Sequence, residues 1–144
     1  MSDPYGRAAN AYSKRGQGAA DQRRLEGDAL LRAATQLQDI HRDWRPELYR
    51  DLESALLYNR RLWTIFAAEA ANDATDLPME MRNNVASISV FVFKRSLELM
   101  ARPAPEKIEA LIEINRSLAA GLLARPVAGA TRELASPVAS NEMV

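Results

Sequence analysis

The 144 residues are enough for one domain with a core of its own. Nineteen basic and nineteen acidic side chains cancel to a formal net charge of zero, which argues against a protein that grips a polyanion through a basic excess. The absence of cysteine removes disulfides, thiolate metal sites and a cysteine nucleophile, and it suits a reducing cytoplasm.

The opening "MSDPYGRAAN" lacks the apolar centre of a secretory signal, and no apolar run approaches the ~20 residues that a membrane-spanning helix needs. A soluble, cytoplasmic chain is expected. Residues 1–20 are polar and rich in Gly and Ala, with Tyr5 and Tyr12 as their only large anchors, so a flexible N-terminal segment is expected there. A basic cluster runs through residues 7–24: Arg7, Lys14, Arg15, Arg23 and Arg24 stand against Asp21 alone. Such a cluster suits an acidic surface, although solvated basic chain ends are common.

A helical domain over residues 21–124 follows. The first helix is expected over residues 21–44, where Leu30, Ala33, Leu37, Ile40 and Trp44 recur at spacings of three and four. Pro46 opens a second over residues 46–73, whose stripe is Leu48, Leu52, Ala55, Asn59, Leu62 and Phe66, widened by Leu56, Trp63 and Ala67. A third is expected over residues 78–101. Within it "SISVFVF", Ser87 to Phe93, is β-branched and aromatic and reads as a strand on propensity alone. A lone strand has nothing to pair with, whereas helical spacing resolves the region into two apolar faces. Met81, Val85, Ile88, Val92 and Leu99 make one, and Met79, Ala86, Val90, Phe93, Leu97 and Met100 the other. A helix apolar on two sides belongs inside a bundle or at a partner interface. The fourth helix, residues 105–123, carries Ile108, Leu111, Asn115, Leu118 and Leu122. Residues 125–144, rich in Ala, Ser and Pro, read as a disordered tail. The expected architecture is all-α: a small bundle of about four helices with flexible N- and C-terminal segments.

"NRRLWTIFAAEAAN", Asn59 to Asn72, sets arginines beside aromatics, as a nucleic-acid surface would. At about 100° per residue, however, Arg60 and Arg61 point away from the apolar stripe while Asn59 and Trp63 lie within it. No stacking platform flanked by cations results. Leu57, Tyr58, Thr64, Ile65 and Ala68 fall off the stripe; they form either an exposed partner site or a surface covered by a third helix of the same chain. Asn115 repeats the placement of Asn59, "NRSL" beside "NRRL". An Asn at a core position is costly unless hydrogen-bonded, so the two asparagines pair with each other or with a ligand helix. Internal pairing is favoured, because buried polar groups find partners.

Nothing points to catalysis. His41 is the only histidine and lies beside the first stripe, where a structural or surface role is expected. The carboxylates are scattered, no Glu-x-x-His pair occurs, and phosphate-loop, dinucleotide, nucleophile-elbow and zinc-protease motifs are missing. The chain reads as a non-enzyme with neither metal nor cofactor.

"AYSK", "RRLEGDALLRAATQL", "ALLYNRRLWTIFAAEAANDATDLPMEMRNNVASISVFVFKR" and "LIEINRSLAAGL" occur in an order and spacing that resemble the bacterial flagellar biosynthesis regulator FlaF family. The resemblance covers about residues 9–123 and is most specific at Asn59–Thr64, Leu77–Pro78, Ile114–Arg116 and Gly121–Leu122. It implies a small cytoplasmic helical protein that promotes flagellin production and export. Flagellin would be its binding partner, in the manner of a secretion chaperone, and FlbT, a negative regulator of flagellin translation, would act opposite it. The residues expected to meet a partner are Leu57, Tyr58, Asn59, Trp63, Ile65, Phe93, Leu97 and Asn115. Two alternatives stand beside this reading: an RNA-binding regulator of flagellin messages that uses residues 7–24, and an adaptor whose main partner is FlbT.

Overall fold

The computed structural model describes the backbone of residues 4–124 and the side chains from residue 16 onward. Four helices account for almost all of it: α1 (Pro4–Arg42), α2 (Tyr49–Ala71), α3 (Met79–Ala101) and α4 (Pro105–Leu123). Proline marks their starts. Pro46 begins a short 3-10 turn, Pro46–Leu48, that leads into α2; Pro78 caps α3; Pro105 occupies the first turn of α4.

Several boundaries differ from the sequence reading, and α2 also ends two residues early, at Ala71. The first helix begins at Pro4 and not at Asp21, because helix formation needs no apolar stripe. The stretch before Asp21 holds good helix formers and no proline after Pro4, so the helix reaches back beyond its expected start into the N-terminal segment. α1 ends at Arg42, two residues short of the expected end, and the first residues of the expected second helix form the 3-10 turn. The expected tail over 125–144 lies outside the described residues.

"SISVFVF" is helical, as the two-faced reading requires. Val85, Ser89, Val92, Ser96 and Leu99 form its buried side. Ser89 Oγ donates to the Val85 carbonyl at 2.6 Å and Ser96 Oγ to the Val92 carbonyl at 2.8 Å, so both serines satisfy themselves within the helix. Burial of one face overrides β-propensity.

Antiparallel pairs build the bundle. α1 runs against α4: His41 Nε2 lies 3.3 Å from Glu109 Oε2, and Arg116 Nη2 donates to Gln38 Oε1 at 3.3 Å. At the other end Gly27 faces Leu123 so closely that a Cβ on Gly27 would stand 2.7 Å from Leu123 Cγ. α2 runs against α3, tied by Tyr49 Oη to the Met100 carbonyl at 3.3 Å and by Arg82 Nε to the Ala70 carbonyl at 3.0 Å. α3 rests chiefly on α2 and touches α4 only lightly. Leu30, Leu37, Leu52, Leu56, Trp63, Val92, Leu99, Ile108 and Leu111 are fully buried where the four helices meet.

Candidate functional site

Two features of this bundle are chemically distinctive: polar groups locked inside it and apolar groups left outside it. On α2, Asn59 and Trp63 are one turn apart and share a face, which meets Asn115 on α4. Trp63 Nε1 donates to Asn115 Oδ1 at 2.8 Å, and Asn115 Nδ2 donates to Asn59 Oδ1 at 2.7 Å; all three residues are fully buried. An indole can only donate, so Trp63 dictates the orientation of both amides. Asn59 Nδ2 is left buried without a partner among the described residues. Trp63 also meets Phe66 edge-on, with ring centroids 5.6 Å apart.

The order of this chain makes a measurable difference between its two asparagines. Asn115→Leu strands the Trp63 N–H and leaves both polar atoms of Asn59 unpaired. Asn59→Leu removes an unpaired group and creates one new orphan, Asn115 Nδ2. At about 1–3 kcal/mol for each buried orphan, Asn115→Leu is expected to be the more destabilising by at least about 1 kcal/mol in urea denaturation. Equal losses would mean that the chain of donors runs otherwise.

A second buried polar group joins α1 to the α2–α3 turn. Arg23 forks onto Glu69 at 3.0 and 2.8 Å and also meets Glu26 and Asp76. Burial alone would lower the proton affinity of this guanidinium, but hydrogen bonds to Glu69 and Asp76 and the charges of Glu26 and Glu69 raise it above its ordinary value. Burial pushes the Glu26 carboxyl up, against the pull of Arg23 and Gln22. Among the described residues no group of His, Cys, Asp or Glu is placed to hold a metal ion. Sequence reading missed this cluster, although Arg23 and Glu26 continue the stripe of Leu30 back along α1. Of the basic residues in 7–24, Arg23 is therefore spent internally, and Arg24 pairs with Asp21 at 3.0 Å.

The residues expected to meet a partner divide into three groups. Asn59, Trp63 and Asn115 reach no surface in the folded chain, because the α2 stripe closes on α4. Tyr58 and Phe93 are half-buried. Leu57, Ile65 and Leu97 are exposed, Leu97 by 62%. Met79 and Val90, exposed by 63% and 60%, join Leu97. With Ala86 they fall within about 40° of one another on the wheel of α3. Their spacing was visible in the sequence; that none of the described residues covers them was not. Leu57 lies on the outward flank of α2 toward α3, and Ile65 lies about 80° further round, away from it. Arg60 and Arg61 are exposed, as their position on the wheel requires.

The result is a small antiparallel helical bundle, closed inside by a polar lock and open along the outside of one hairpin. The chain belongs to the flagellar protein FlaF family, whose sequence profile matches residues 8–122. Searches of curated proteins and of solved structures gave no significant match. No helix among the described residues is long and apolar enough to cross a membrane.

Proposed function

We propose that this flagellar protein binds flagellin as a secretion chaperone and promotes flagellin synthesis, acting opposite or together with FlbT. The observation that carries the reading is the open apolar face of α3, with Met79, Ala86, Val90 and Leu97 in one row and Leu57 beside it on α2. A row of this length fits an amphipathic helix laid along it. The terminal helices of unassembled flagellin are amphipathic partners of that kind, and covering them would hold back filament assembly before export.

Mixing the purified protein with monomeric flagellin at tens of micromolar is expected to give a complex by size exclusion and calorimetry. Apolar burial should make its affinity nearly indifferent to salt and its heat-capacity change negative. Leu97→Glu should weaken the complex at least about tenfold with an unchanged melting temperature, since it places a charge in a face that folding leaves exposed. Failure to form any complex removes the reading; a complex indifferent to Leu97→Glu moves the contact off α3. FlbT, tested alone in the same assay, separates a chaperone from an adaptor.

A further inference from the structure

With Met79 taken as a d position, the outer face of α3 reads as an unbroken heptad seam. Asn83, Val90 and Leu97 are its a residues, and Met79, Ala86, Phe93 and Met100 its d residues. Of these, Met79, Asn83, Ala86, Val90 and Leu97 are exposed, while Phe93 and Met100 are half-buried. The exposed part spans about 27 Å at 1.5 Å per residue. A second row, Val85, Ser89, Val92, Ser96 and Leu99, serves the interior, so α3 carries two seams, and of the outer one only Phe93 and Met100 pack against the core.

We propose that the outer seam docks a second copy of the chain, α3 against α3 in antiparallel orientation about a two-fold axis. A two-fold interface must be self-complementary, and this seam is. One antiparallel register sets Leu97 against Met79 of the second copy, Val90 against Ala86 and Phe93 against Asn83, each pair occurring twice. In antiparallel coiled coils the flanking e positions face each other. Here those positions are Glu80, Ser87, Lys94 and Ala101, and the same register brings Glu80 and Lys94 opposite each other. Two ion pairs result, one at each end of the seam. The Glu80 and Lys94 side chains are exposed, and neither joins an ion pair with another described residue. They lie on the free edge of α3, whereas Arg82, on the other edge, is engaged with α2. A parallel pairing would set Lys94 beside Ser89 of the second copy and form no ion pair with Glu80. Asn83 weakens the seam and disfavours other registers.

The dimer rests on this seam alone. Its consequence, that self-association and flagellin capture exclude each other, rests on the proposed function. A face shut by its own copy is protected until a partner with a better-matched helix arrives.

Sedimentation equilibrium of the full chain, from roughly 5 to 500 µM at low salt, is the test. Two exposed helix faces make an interface at or below standard size, so a reversible dimer in the micromolar range is expected. Lys94→Glu and Glu80→Lys should each weaken it at least tenfold without moving the melting temperature. Glu80→Lys combined with Lys94→Glu should restore it. A monomer throughout, a dimer indifferent to either single change, or a double variant that stays dissociated overturns the proposal. Adding monomeric flagellin separates the two claims. Flagellin bound by a monomer that never dimerises leaves the chaperone reading standing without the dimer. A charge-sensitive dimer that flagellin fails to open leaves the dimer standing without capture at this face.

Discussion

Trp63→Ala is expected to lower folding stability by about 3–5 kcal/mol, measured as the shift of the urea midpoint at constant slope. Two losses combine. The indole fills the centre of the core at 0% exposure, and its N–H is the donor that orients Asn115. Trp63→Phe separates them, since it keeps most of the ring and removes only the donor. About 1–3 kcal/mol is expected for that variant, the cost of an acceptor left unpaired in the interior. A cost near 1 kcal/mol or less for Trp63→Ala would show that the residue is not an anchor of the fold.

The second large effect concerns Arg23. Arg23→Met keeps the length of the side chain and leaves Glu26, Glu69 and Asp76 facing one another without a cation. Removing one partner of a buried ion group usually costs 3–5 kcal/mol; about 3 is expected near neutral pH, because Asp76 keeps much of its contact with water. The pH dependence has a definite sign. Glu26 already holds its proton above the ordinary value of 4.5, chiefly through burial. A group raised in the folded state stabilises fully below its unfolded pKa, and that contribution fades as pH rises through the folded one. Without Arg23 the folded value for Glu26 rises further. The gap between variant and parent should therefore be widest near neutral pH and narrow toward about pH 5. Paired urea titrations at the two pH values measure it. A gap that widens on acidification would mean that Arg23 acts by something other than neutralising these carboxylates.

Periodicity made the helices legible because each buries one clear stripe. The stripes of Leu30 to Ile40 and of Leu52 to Phe66 needed only spacing to be found, and the pairing of Asn59 with Asn115 followed from the rule that buried amides seek partners. Three things did not follow. The start of α1 was invisible, because residues before Asp21 carry helix propensity without a stripe. The Arg23 cluster depends on Glu69 and Asp76, brought from 46 and 53 residues away by the packing of α1 on α2. The division of the candidate site into buried and open residues depends on which helix covers which face. Amphipathic spacing marks a face as apolar whether its partner is the same chain or another. Asn59 and Leu57 stand two positions apart in α2, yet only one of them meets solvent.

The pairing of the first helix with the last carries a consequence for how the bundle comes into being. α2 and α3 are neighbours along the chain and can zip together locally, whereas the groove of α1 against α4 and the acceptor for Trp63 both wait for residues beyond Pro105. Contacts between distant segments bear the greatest loop-closure entropy and form late. On a ribosome, where α4 emerges after α1, α2 and α3, the indole of Trp63 therefore stays hydrated until Asn115 arrives. Completion of the interior thus reports that synthesis has passed the fourth helix.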